Sequence, residues 1–363
     1  MKKGYALQAP DGVRKAVAGF LKTCLDKDVF DAVLVCVRSG SACSYVLVQE
    51  PSFLDTADCL PPVMPVQGGK AVMSFTRHGK GMRIGALLRP CEIRAAVELS
   101  KLQQTVPENI SFISMDCEGV IPLSDWLSDP EAAGAADGSG VRELCSICEQ
   151  FSFCEDDPVG KADLHIATMG VAKDRALLVP VSARGDEILQ KLDLTPGEET
   201  TGWVEEVEKL RKKRREAREE SFAELRKRVC GLDALSEVFG RCLECHACRT
   251  ACPICYCRVC FAGSEPAGDA AVDYVRRAER LGGSCCLPEQ LLFHLGRMSH
   301  MSLSCVSCGM CEDVCPVDIP VGSIFSMVGQ ATQGLFDYVP GRSAEADLPL
   351  KKFVLDELED VED

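Results

Sequence analysis

Cys242-Leu243-Glu244-Cys245-His246-Ala247-Cys248-Arg249-Thr250-Ala251-Cys252-Pro253 and Cys305-Val306-Ser307-Cys308-Gly309-Met310-Cys311-Glu312-Asp313-Val314-Cys315-Pro316 share one spacing, C-x2-C-x2-C-x3-C-P. Three cysteines two residues apart let a tight loop present thiolates to three corners of a cubane. The fourth, followed by proline, is directed toward a neighbouring cluster. The repeat therefore reads as two 4Fe-4S clusters, one held by Cys242, Cys245, Cys248 and Cys315, the other by Cys305, Cys308, Cys311 and Cys252. Zinc is the competing metal, but its sites use separated C-x2-C or Cys/His pairs rather than a C-x2-C-x2-C triplet. His246 reads as a partly exposed neighbour, since cysteines already occupy the required spacings. Gly309 is expected to let backbone amides approach sulfur.

The chain carries 23 cysteines in 363 residues and begins without the apolar run of a secretory signal, so disulfides are not expected. No stretch is apolar enough to span a membrane, which predicts a cytoplasmic protein. A formal charge of -15 argues against a nucleic-acid partner and for partner proteins with basic patches. Hydrophobic content of 46% is ordinary for a packed soluble chain.

Upstream of the repeat, short apolar runs alternate with helical patterns. Ala32–Val37, Ile84–Leu88, Phe112–Met115 and Ala176–Val179 read as strands; Gly12–Leu25 and Glu92–Leu102 read as helices. The fold class is thus an α/β N-terminal domain, residues 1–200, followed by a mostly α-helical, ferredoxin-like dicluster domain, residues 231–341. Between them, residues 201–230 form a charged connecting helix. It contains Arg211-Lys212-Lys213-Arg214-Arg215, and its face is expected to be solvated, with docking of an acidic partner as the alternative. Helices are also expected over Ala270–Leu281 and Pro288–Met298. An exposed loop is expected over Asp129–Gly140, and a frayed acidic tail over 342–363.

The other cysteines leave choices open. Cys255, Cys257, Cys260 and Cys286 could gather around a fourth cluster if the chain folds back, or remain free or buried thiols. Cys91 would open a helix whose dipole favours a thiolate, and Cys117 would leave the carboxyl end of a strand. With Cys145 and Cys148 they form either a scattered ligand set or core cysteines. Cys24, Cys36, Cys43 and Cys59 read as core.

Most of the chain resembles a known family of iron-sulfur flavoproteins. These are the beta subunits of deazaflavin (coenzyme F420)-dependent hydrogenase and formate dehydrogenase. The likeness is carried by Gly85–Ala95 with Arg89-Pro90-Cys91, by Met115-Asp116-Cys117-Glu118-Gly119, by Cys145-Ser146-Ile147-Cys148 and by a strand within 162–170. In the second half, Cys242–Phe261 and Phe293-His294-Leu295-Gly296-Arg297 through His300 to Cys305 are similar to the formate dehydrogenase branch. The resemblance implies that Cys91, Cys117, Cys145 and Cys148 hold a third 4Fe-4S cluster beside an FAD that exchanges hydride with a soluble deazaflavin. It also implies other redox subunits as partners, in a hydrogenase, formate dehydrogenase or heterodisulfide-reductase-like complex. The chain departs from the family at Pro10-Asp11-Gly12-Val13 and at Gln67-Gly68-Gly69-Lys70, where glycine-richer elements are expected near the flavin. Those departures favour a second reading, a flavin-free relay and scaffold. A third reading is a reductase with substrate bound at the Cys255–Cys286 group. No Walker loop, G-x-G-x-x-G fingerprint or Ser/His/Asp arrangement is present.

Overall fold

The computed structural model describes residues 3–55, 61–76, 81–130, 140–153, 162–257, 259–260, 271–282 and 289–351. Residues 1–200 build a seven-stranded mixed sheet in the order β1-β7-β6-β5-β4-β2-β3. The strands are β1 (Tyr5–Gln8), β2 (Ala32–Ser39), β3 (Ala42–Val48), β4 (Ile84–Leu88), β5 (Ile110–Met115), β6 (Leu164–Ala167) and β7 (Arg175–Pro180). Its centre, β2-β4-β5-β6, is parallel; β1, β3 and β7 pair antiparallel.

Strand alternation sends side chains to two different helical layers. Val33, Val35, Leu87 and Ile113 pack against α1 (Val13–Asp26) through Val17 and Leu21. Leu34, Cys36, Ala86 and Phe112 pack with Val72 of α2 (Gly68–Thr76) and with Ile93 and Val97 of α3 (Pro90–Lys101). A parallel centre covered on both faces explains why these strands read as continuous apolar runs. The edge strand β3 is only half-buried, and no apolar run marked it. Further along, α4 (Ala183–Lys191) joins the α1 layer through Ile188 and Leu189.

Beyond residue 200 the described residues form helices and loops only: α5 (Thr201–Val229), α6 (Leu232–Phe239), α7 (Ala271–Leu281), α8 (Glu289–Met301), α9 (Val321–Leu335) and short turns between them. Phe239, Leu291, Met298, Ile324 and Phe325 make their shared core. Most of the expected loop at 129–140 and of the acidic tail lies outside the described residues, as do Cys59 and Cys286.

The long charged helix is not a solvated rod. Trp203, Val207, Phe222, Leu225 and Val229 are buried, but so are Arg211 and Arg214. The arginines continue the apolar stripe at the same 3–4 residue spacing, so the run of basic residues divides into an inward and an outward face.

Candidate metal centres

Four cysteines of the α/β lobe converge at the carboxyl edge of its sheet. Cys91 stands in the first turn of α3, where Pro90 and an extended Arg89 start the helix. The buried Glu92 carboxylate fixes that start. It accepts from Arg89 N (2.8 Å), Gly68 N (3.0 Å) and Tyr45 Oη (2.7 Å). Cys117 lies two residues beyond β5, and Cys145 and Cys148 lie in and just after a short helix, Glu143–Ser146. All four line one cavity with Arg89, Phe151, Arg214 and, from the second motif, Cys308.

This cavity fits a cluster held by thiolates. Burial pushes the Cys117 thiol up to about 12 and raises Cys91 and Cys145 as well, while Arg89 and Arg142 pull Cys117 and Cys145 back down. The backbone amides of Gly119 and Val120 also act downward on the Cys117 and Cys145 thiols. Amides aimed at sulfur favour its anionic form. Gly119 has φ +122°, and a Cβ there would lie 3.0 Å from Val141 and 3.1 Å from Cys145 Cβ, so glycine is required.

The two ferredoxin-type loops repeat one backbone device. Glu244 and Ser307, each just before the second cysteine, have φ of +53° and +57°; His246 and Gly309, each just after it, have +57° and +74°. Left-handed residues alternating with ordinary ones turn successive N–H groups into a concavity that suits an anion. Glu244 N donates to Cys242 Sγ and Ile319 N to Cys315 Sγ, both at 3.4 Å. The backbone amides of Ser307 and Met310 act downward on the Cys305 and Cys308 thiols. A Cβ on Gly309 would meet only ordinary contacts, so conformation rather than space selects glycine there.

The thiols that act on Cys242 and Cys248 include Cys245 and Cys315, and those that act on Cys311 are Cys308, Cys305 and Cys248. Cys252 lies 4.0 Å from Met301 Sδ, near the Arg297 guanidinium that also feels Cys311. Among the described residues no three His, Cys, Asp or Glu side chains close to single-ion spacing. The His246 ring meets that of Phe293 at 4.6 Å, tilted by 34°. His294 lies 3.4 Å from Cys242 Sγ and stacks on Phe239, and burial with the nearby Arg297 pushes its pKa down to about 4.

The Cys255 thiol turns toward Met301 Sδ (3.5 Å) and Cys252, while Cys257 is exposed; Cys260 is half-buried. Cys24 and Cys36 are buried in the sheet lobe and Cys43 is half-buried.

Sequence reasoning missed the arginines of α5. Arg214 donates to Cys148 O and Glu118 O (3.3 Å each), with its guanidinium 4.4 Å from the Phe151 ring. Arg211 donates to Glu149 O and Ser152 O. The helix thus straps the loops that carry Cys117 and Cys148. Asp116, assigned no role of its own from sequence, accepts from Ser152 Oγ (2.5 Å), Thr168 N (2.7 Å), Met169 N (2.9 Å) and Trp203 Nε1 (3.1 Å), and pairs with His165 Nε2 at 2.9 Å.

A second cavity adjoins the first, outside the carboxyl ends of β4, β5 and β6. Its lining includes Arg14, Leu88, Met115, Cys117, Glu118 and Thr168. That is where open α/β sheets bind ligands. Gln67–Lys70 is not free to serve such a site. Gly68 N is taken by Glu92, Gly69 N by Gln67 Oε1, and the Lys70 ammonium by Thr250 O across the lobes.

The 4Fe-4S dicluster domain family matches residues 237–319. Over 90% of its length the chain is 26% identical to the F420-dependent formate dehydrogenase subunit beta of Methanocaldococcus jannaschii, of which 91% is covered. It is 24% identical to the F420-dependent formate dehydrogenase 1 subunit beta of Methanococcus maripaludis, with 91% of each chain aligned. Among solved structures, a chain of the F420-reducing [NiFe] hydrogenase complex from Methanosarcina barkeri has a TM-score of 0.49 at 12% identity. The match covers 64% of this chain and 94% of that one.

Proposed function

From this chain's kinship with the beta subunits of F420-dependent formate dehydrogenase, we propose that it is the electron-transfer iron-sulfur flavoprotein subunit of a larger redox complex. It would link a soluble hydride carrier such as a deazaflavin to partner subunits of a formate dehydrogenase, hydrogenase or heterodisulfide-reductase-like assembly. The observation that carries the reading is the cavity shared by Cys91, Cys117, Cys145 and Cys148, whose wall includes Cys308 of the ferredoxin-type repeat. When bound, a flavin divides a two-electron hydride into single electrons, and 4Fe-4S clusters carry one electron each.

We assign one cluster to Cys91, Cys117, Cys145 and Cys148, and two more to the crossed sets of the repeat. A flavin would be held in the adjoining cavity by Arg14, the Met115–Gly119 loop and Thr168. The cysteine sets succeed one another from that cavity outward: Cys117 borders it, Cys308 adjoins Cys91, Cys311 adjoins Cys248, and Cys245 is exposed. Such an order suits a chain that connects an interior site to an external partner. A cytoplasmic location fits the cysteine content; no helix among the described residues is long and apolar enough to cross a membrane.

One observation favours the flavin-free relay instead: the amides of Gly68 and Gly69 are already satisfied within the protein. Iron, sulfide and flavin per chain on anaerobically purified protein decide between the two. About 12 irons, as three four-iron clusters require, with one flavin bleached by reduced coenzyme F420, support the flavoprotein. The same iron with no flavin and no bleaching makes the chain a relay. Four irons or fewer would sink both.

A further inference from the structure

The polar group least explained by folding is Arg297. It lies in α8, is 6% exposed, and among the described residues has no carboxylate partner. Its Nη1 donates to Cys248 Sγ at 3.0 Å and its Nη2 to Cys248 O at 3.2 Å, while Nε finds no hydrogen-bond partner. Phe325 and Phe293 flank the guanidinium, 4.9 and 5.6 Å from ring centroid to the central carbon. Burying a permanent cation among aromatic rings is strongly unfavourable unless an anion accompanies it. The groups that can supply the anion are thiols: Cys248, Cys255, Cys311 and Cys252 in decreasing order of effect. Cys248 and Cys252 belong to the first half of the ferredoxin-type repeat and Cys311 to the second, while Cys255 follows the first half.

We propose that Arg297 is a positioning residue that sets the reduction potentials of the two ferredoxin-type clusters apart, by donating directly to Cys248 of the outer set while reaching the inner set only through space. The inference rests on the cluster assignment above. Reducing a thiolate-held cluster adds negative charge, and a cation with a hydrogen bond to one ligand sulfur stabilises the added charge most strongly in that cluster. Its potential rises relative to its neighbour's, so the added electron is held toward the end of the molecule where Cys245 is exposed. Lysine would keep the charge but not the paired donation to Sγ and O of one residue.

The test is an anaerobic redox titration, followed by electron paramagnetic resonance, of the whole protein and of its Arg297→Gln and Arg297→Lys forms, each with iron content measured first. Cys245→Ser identifies the outer cluster as the signal that it alters. In Arg297→Gln the outer midpoint should shift to lower potential while the inner midpoint shifts less and any third cluster's stays fixed. Arg297→Lys should show a smaller shift of the outer midpoint. Unchanged midpoints at full iron, or equal shifts of every cluster, overturn the proposal. If the glutamine form does not retain iron, the lysine form decides alone, a lowered outer midpoint supporting the role and an unmoved one overturning it. Iron-free wild-type protein would instead overturn the cluster assignment itself.

Discussion

At the scale of single residues, the cysteine spacing carries the metal chemistry and the backbone angles carry the rest. Replacing Cys308 by serine should remove one ferredoxin-type cluster while leaving the iron of the Cys91 set; loss of all iron at once would mean the sets are not independent. His246 and Gly309 occupy equivalent left-handed positions, so one can be tested against the other. Gly309→Ala should cost roughly 1–2 kcal/mol in a denaturant titration, because it forces a Cβ into the left-handed region. His246→Gly removes that strain, and iron content should not change. A drop by one cluster's worth of iron would make His246 a ligand after all.

Among the elements, α5 separates what a sequence displays from what it hides. The strands β2, β4, β5 and β7 were legible because burial on both faces makes them continuous apolar runs, and the eight motif cysteines because a loop spacing is a local property. The basic run of α5 was not, since counting charges does not say which side of a helix each one takes. The usable signal was periodic. Trp203, Val207, Arg211, Arg214, Arg218, Phe222, Leu225 and Val229 form one stripe at spacings of three or four, and only the arginines are not apolar. Arg214→Met should keep the stripe buried but leave Cys148 O and Glu118 O without their donor, at ~1–3 kcal/mol. We expect a lower thermal midpoint and reduced retention of iron by the Cys91 set under chelator challenge. Lys212→Ala, on the exposed face, should stay within ~0.5 kcal/mol of wild type. Equal effects of the two substitutions would return α5 to the role of a solvated connector.

The whole molecule is joined by a buried polar clamp that neither half shows alone. Glu98 of α3 accepts from Tyr338 Oη (2.7 Å), Gly341 N (2.8 Å) and Lys101 Nζ (3.0 Å), with both charged side chains almost fully buried. Alongside it, Arg94 of the same helix donates to Pro340 O (2.9 Å) and Val306 O (3.2 Å). Gly341, at φ +77°, lies so close to Arg94 that a Cβ would come within 2.5 Å of Arg94 Cα. The helix that carries Cys91 in its first turn therefore ends by gripping the chain that follows the ferredoxin-type repeat. Glu98→Ala would strand Lys101 as a buried charge, a change that typically costs about 3–5 kcal/mol. Because that loss falls on the contact between lobes rather than within either core, cooperativity should suffer along with the midpoint. Followed anaerobically, visible cluster absorbance and far-ultraviolet circular dichroism should melt together in the wild type and at separate temperatures in Glu98→Ala. A single shared transition in the variant, at the wild-type temperature, would show that the lobes are held together by other contacts.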